Sequence, residues 1–196
     1  MKTKLIVIAV TMIALIFAGC AKPPEAEIAS ANSAMETLRA AEAETYAPQA
    51  LKMAMDTLNA ANSAKTEADG KFALFRSYKN ATALYVSAEA LAKSAGEQAA
   101  AEKEKMRVMV MEMQAQAALQ LAAADTALMK APVGKGNKAD IEMIKADLAN
   151  IRGSLEAAQR DIDAQKYAMV RTKIQSIMDR TARIQEEIAK ASAKKK

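Results

Sequence analysis

Two kinds of residue in this chain carry chemistry that ordinary helix-forming residues lack: one thiol and a row of thioethers. Cys20 is the only cysteine among 196 residues. It sits in "LIFAGCAKPPEAE", directly after an apolar run and just before a proline pair. With no second thiol in the chain it belongs to no internal disulfide. A core position, a nucleophile, half of an intermolecular disulfide or an attachment handle are the roles that remain. The thioethers lie in "MRVMVMEMQ", where helical spacing puts Met106, Met109 and Met113 on one face and Met111 on another. Soft thioethers hold Cu(I), and flexible methionines also fill gaps between layers of a bundle. Met106, Met109 and Met113 are therefore a candidate metal or partner face, and Val108 and Val110 add apolar surface around the same turn.

Most other chemistry is excluded by what is missing. There is no histidine, which removes the commonest general base and the commonest metal ligand. One cysteine makes neither a zinc site nor a redox pair. The "GKG" of Gly134 to Gly136 lacks the earlier glycine and the following Ser or Thr of a phosphate-binding loop. Glu186 and Glu187 are adjacent, so on a helix they point apart and read as solvated surface. The expectation is a protein with no catalytic residues, no metal centre and no resident cofactor. The net charge of +5 is mild; removing Lys2 and Lys4 with the leading segment leaves 26 cations against 23 acids. Aromatics make up only 4% of the chain, too few to stack on bases, so no nucleic-acid partner is expected.

The elements that must position these residues are helices. Alanine dominates, glycine (6) and proline (4) are sparse, and tryptophan is absent. Strong helix formers fill the rest, which predicts an all-α fold. Alanine-rich helices have a thin side-chain layer, so elongated hairpins in a coiled-coil-like bundle suit them better than a compact globule.

The N-terminus reads as a targeting segment. "MKTK" is a positive head, and Leu5 to Ala18 is an uncharged apolar run shorter than the ~20 residues of a spanning helix. A plain transmembrane anchor with an incidental cysteine is the competing interpretation. "Phe17-Ala18-Gly19-Cys20" resembles the lipobox of bacterial lipoproteins, in which leucine more often stands where Phe17 is. The resemblance implies cleavage between Gly19 and Cys20, a diacylglycerol on the Cys20 sulfur and an acyl chain, such as palmitate, on the new amino group. Two or more acyl chains meet the two-signal requirement for stable anchoring. By the same resemblance Ala21 is not the aspartate that retains a lipoprotein in the inner membrane. That implies the periplasmic face of an outer membrane, or the cell surface in a single-membrane organism.

Beyond residues 1–19, the sequence divides into a helical region over 20–130, a loop over 131–138 and a C-terminal antiparallel hairpin over 139–196. Glu25 and Glu27 supply first-turn acids after the Pro23-Pro24 tether. Ile28, Ala31, Met35 and Leu38 form an apolar stripe that ends at "TYAPQAL". Pro48 starts a second helix to about Ala68, with Leu51, Met55 and Leu58 expected inside. Asp69-Gly70 makes a turn, and a third helix is expected from near Lys71 to Lys130, on the order of 90 Å if unbroken. Gly96 is where a break or bend would fall, although an isolated glycine is often tolerated inside a helix, so continuity is left open. Asn137 is the expected N-cap of the next helix. Two seams follow: Ile141, Ile144, Leu148, Ile151, Leu155, Ala158, Ile162, then Tyr167, Val170, Ile174, Ile177, Thr181, Ile184, Ile188, Ala191. The short "DAQK" between them forces the two helices antiparallel.

"ADGKFALFRS" (68–77) and "DAQKYAMVRT" (163–172) match in residue type over seven consecutive positions, 95 residues apart. This suggests an internal duplication of a helical hairpin, against the alternative of coincidence in a biased composition. From Cys20 to Gln98, the lipobox, the alanine-rich first helix and the "YAP" start of the second (Tyr46, Ala47, Pro48) resemble the DUF4398 family of bacterial lipoprotein domains. That resemblance implies an all-helical envelope lipoprotein; some relatives add an OmpA-type peptidoglycan-binding domain, which has no recognisable counterpart here. The expected function is a non-catalytic structural or adaptor element of the bacterial envelope. Its expected partners are the lipid leaflet, through acylated Cys20, and an envelope protein or peptidoglycan, with the seams also able to close between copies as a homo-oligomer. The alternative is an extracytoplasmic binding module, either a Cu(I) holder or a helical-repeat receptor for peptides. The terminal "KASAKKK" reads as a solvated cationic helix end. Two sharper readings are attraction to anionic wall polymers or lipid heads, and attachment of Lys196 to peptidoglycan as in the major outer-membrane lipoprotein it distantly resembles.

Overall fold

The computed structural model describes residues 21–193. The leading segment, the expected cleavage site at Gly19 and Cys20, and residues 194–196 lie outside them. Six α-helices follow in order: α1 Glu25–Ala40, α2 Ala43–Tyr46, α3 Pro48–Asp69, α4 Lys79–Lys130, α5 Lys138–Asp163 and α6 Tyr167–Ala193. A 3-10 turn, Ala73–Phe75, precedes α4. The described residues contain no strand, so the chain is all-α. It forms two compact units that divide between Ala101 and Glu102, inside α4. The boundary falls there because Val110, Ala117, Leu121 and Ala124 share one core with α5 and α6.

In the first unit, Glu25 and Glu27 occupy the first turn of α1, where acids favour the helix dipole. Ala31, Met35 and Leu38 are buried and Ile28 is partly so, as the stripe predicts. The helix ends at Ala40, and Glu42 takes a left-handed conformation (φ 56°) before the four residues of α2. Pro48 opens α3, where its missing N–H leaves no intrahelical bond unmade. Leu51 and Leu58 turn inward, but Met55 is 38% exposed, and Ala54 and Ala61 occupy the buried stripe instead. Successive residues step 100° round a helix, which carries Met55 off the face that Ala54 shares with Leu51 and Leu58. Against α1 and α3 the first part of α4 buries Ala81 and Tyr85, and the Tyr85 hydroxyl donates to Asn62 Oδ1 at 2.6 Å.

One expectation for the third long helix is corrected, and its continuity is settled. It begins at Lys79 and not near Lys71, because the intervening residues satisfy their polar groups another way. The Arg76 guanidinium donates to the carbonyls of Asp69 (3.0 Å) and Lys71 (3.2 Å), and Arg76 itself is extended. Nor does Gly96 break the helix, which runs unbroken from Lys79 to Lys130. A glycine flanked by two turns of strong helix formers costs only about 1 kcal/mol against alanine, too little to interrupt them.

The second unit joins the rest of α4 to the α5–α6 hairpin. Every residue of both predicted seams is buried except Leu155, which packs against the core partly exposed. Gln165 turns the chain between α5 and α6 in a left-handed conformation (φ 59°). Asn137 stands just before α5, yet its side chain makes no cap. Its Oδ1 accepts from the Gly134 N–H (2.8 Å), and its Nδ2 donates to the carbonyls of Pro132 (2.7 Å) and Ala191 (3.0 Å). It ties the loop to the end of α6, which uses the amide more fully than a single cap bond would.

The two units repeat one pattern of burial, although not in the register of the matching decapeptides. Tyr78, Ala81, Tyr85, Ala88, Ala92, Ala95 and Ala99 of the first unit correspond to Tyr167, Val170, Ile174, Ile177, Thr181, Ile184 and Ile188 of the second, each pair 89 residues apart. Leu51, Ala54, Ala61 and Ala68 correspond in the same way to Ile141, Ile144, Ile151 and Ala158, 90 apart. In α1 and α4, Ala31, Met35 and Leu38 pair with Ala117, Leu121 and Ala124, 86 apart. The 95-residue match instead sets exposed Phe72 and Phe75 against buried Tyr167 and Val170. The counterpart of Tyr167 is Tyr78, the residue before α4.

Candidate functional site

The methionine row divides. Met106 and Met113 pack, partly buried, against the core of the second unit and line a groove of about 610 Å³ beside Arg171, Gln175 and Asp179 of α6. Met109 is 42% exposed, and Met111 is outside as well, its sulfur 3.0 Å from Arg107 Nη1. Val110 is fully buried while Val108 is exposed. The three methionines of the candidate face are thus not gathered at one point; two fill space at the edge of a bundle, as flexible thioethers do. Among the described residues no group of three or more Cys, His, Asp or Glu stands where it could hold a metal ion.

A larger groove, about 750 Å³, lies in the first unit between α1 and α4. Its walls are short side chains: Ala29, Ser30, Ser33 and Ala34 on α1, with Ala92 and Gly96 on α4. A Cβ added at Gly96 would meet nothing within 4 Å, so the glycine lies open. Lys93 and Glu89, paired at 2.6 Å, and Glu97 provide its charges. Gly96 and Ala34 correspond to Gln185 and Gln120 of the second unit, and there Gln185 Nε2 donates to the Gln120 carbonyl at 3.2 Å. One unit closes by a glutamine what the other leaves open. The sequence does carry the signal, serines and alanines on α1 facing a glycine on α4, but alanine is so frequent here that the stripe does not stand out.

The third feature is the connection from α3 to α4. Asp69 accepts from Lys65 Nζ (2.7 Å) and from the Tyr78 hydroxyl (2.5 Å). Those two bonds hold its carboxyl below the usual range, and the same partnership raises Lys65 and Tyr78. With Arg76 bonded to two carbonyls, the base of this connection is clamped at four residues. The start of the described chain is here too: Ala21 lines one cleft together with Arg76, Tyr78 and Lys79.

Cys20, the candidate lipidation residue, and Gly19 lie outside the described residues, as does Lys196. No described helix is long and apolar enough to cross a membrane. Comparison with protein-family models, with curated proteins and with solved structures finds no match to this chain.

Proposed function

We propose that the chain is a bacterial lipoprotein, anchored by acyl groups on Cys20, that serves as a non-catalytic structural or adaptor element of the cell envelope. The observation that carries the reading is the placement of the single cysteine after a small residue at the end of a signal-length apolar run. The all-helical units that follow suit a scaffold. Their ion pairs are largely solvated, as Lys52–Asp56 and Lys145–Glu142 illustrate, and their exposed faces present helix surface to a neighbour. Outer-membrane residence, on the periplasmic face, follows from Ala21 by resemblance to lipoproteins that leave the inner membrane. The likeness of residues 20–98 to the DUF4398 domains supports the same reading. Labelled palmitate supplied to growing cells is expected to enter the native chain and not its Cys20→Ala variant. Equal absence from both would end the proposal. Crosslinking in intact cells, read by mass spectrometry, then names the envelope protein or wall polymer it contacts.

One observation favours a second reading, a receptor for peptides: the open groove between α1 and α4. Gly96→Gln fills it with the residue the second unit carries, and a peptide that still binds the variant unchanged would exclude the groove as its site.

A further inference from the structure

Among the described residues, the most exposed apolar cluster lies near where the described chain begins. Phe72, Leu74 and Phe75 are 71%, 61% and 78% exposed, all within four residues of the α3–α4 connection. They hold two of the chain's three phenylalanines. A soluble surface scatters such side chains singly; three together with no partner mark a contact. Their presentation is built into the fold. Asp69, Lys65, Tyr78 and Arg76 clamp the base of the connection, and the 3-10 turn Ala73–Phe75 sits between extended Phe72 and Arg76. The apolar tip therefore stands out on a fixed stem.

Two further observations say what covers it. Ala21 lies in one cleft with Arg76, Tyr78 and Lys79, the residues that follow the tip directly. Cys20 immediately precedes Ala21 in the sequence, so the acyl chains proposed for it would lead away from this same end of the unit. The surrounding charge also suits a lipid surface. Between Lys65 and Lys79 four cations stand against two acids, and Lys71 and Lys79, exposed on either side of the tip, are open to anionic headgroups.

We propose that Phe72, Leu74 and Phe75 form a second membrane contact that inserts into the interfacial region of the leaflet holding the acylated Cys20, seating the first unit end-on against the lipid. The inference rests on the lipoprotein reading for its anchor, while the insertion itself is a property of the tip. Acyl chains on one residue alone leave a domain free to tilt about a single point; a clamped apolar tip beside the anchor gives it a second point of attachment and so an orientation. Phenylalanine and leucine side chains gain by burying their apolar surface at the headgroup–acyl boundary, as on the apolar face of an interfacial helix.

The absence of tryptophan makes the test direct. In the full chain, purified from bacterial membranes and reconstituted into vesicles of phosphatidylethanolamine and phosphatidylglycerol, Phe75→Trp supplies the only indole. Met53→Trp is the control. It is an exposed position on α3, sixteen residues and about 24 Å along the helix from Asp69. Brominated acyl chains are expected to quench the Phe75→Trp emission and shift it to the blue, and to leave Met53→Trp unaffected. The triple variant Phe72→Ser, Leu74→Ser, Phe75→Trp is expected to lose most of that quenching. An indole at 75 that stays accessible to aqueous iodide overturns the proposal, and so does equal quenching at 53 and 75. Palmitate labelling of the same preparation decides the anchor separately: an unlabelled chain whose residue 75 is still quenched keeps the tip and loses the lipoprotein, and a labelled chain unquenched at 75 does the reverse.

Discussion

At corresponding buried positions the first unit holds Ala54, Ala61, Ala88, Ala95 and Ala99, while the second holds Ile144, Ile151, Ile177, Ile184 and Ile188. The same three-helix frame is thus filled twice with different material. An isoleucine buries about three more carbons than an alanine, or roughly 2 kcal/mol of transfer free energy per site. The first unit offsets part of that with polar ties, Tyr85 to Asn62 and Tyr78 to Asp69, and leaves a groove where the second unit places Gln185. One unit is built for stability and the other keeps open surface at both its groove and its α3–α4 tip.

The contrast can be broken most severely at Ile151, which is fully buried. Ile151→Ala installs the residue the first unit carries as Ala61, and urea denaturation is expected to show a loss of about 3–4 kcal/mol in the second unit. Asn137→Ala likewise installs the counterpart of Ala47. It removes three hydrogen bonds at a site 2% exposed, and the same measurement is expected to fall by about 2 kcal/mol. Tyr85→Phe deletes the tie to Asn62 and is expected to lower the first unit's stability by about 1 kcal/mol. A neutral result would show that the alanine core holds without it. Gly96→Gln, which copies the second unit, is expected to raise stability by about 0.5 kcal/mol, since the new side chain meets open space and glycine is the poorer helix former.

The weakest effect belongs to the solvated clamp at Asp69. Its carboxyl titrates below its ordinary 3.8, so its contribution is present above that value and lost as pH falls through the lowered one. Tyr78 and Lys65 titrate above their ordinary 10.0 and 10.5; their contribution is present below those values and lost as pH rises through the raised ones. Thermal unfolding of Asp69→Asn and the native chain is therefore expected to differ by a constant amount from about pH 5 to 9, and to converge in acid.

The same contrast decided what the sequence could tell. In the second unit isoleucine alternates with charge, so the seams from Ile141 to Ile162 and Tyr167 to Ala191 are legible residue by residue. In the first unit alanine stands on both the inside and the outside of α1, α3 and α4. The larger Met55 then reads as core, although it is exposed, and Ala54 and Ala61 pass unnoticed. The start of α4 was hidden for another reason. "KFALFRSYK" has helical composition, and bonds from Arg76 and Tyr78 reaching five to nine residues back, to Lys71 and Asp69, favour a non-helical connection. Those bonds also explain the misleading likeness to "KYAMVRT": similar residues occupy a clamped connection in one unit and the first turn of α6 in the other. Of the candidate sites, the methionine row was visible by spacing, but its division between core and solvent depends on where α6 lies.

The intact mass of the native chain, extracted from bacterial membranes, tests the central claim most directly. The account predicts a protein that begins at residue 20 and carries the added mass of a diacylglycerol, with or without a further acyl chain on its amino group. A chain that begins at Met1 with a free thiol at Cys20 would contradict it.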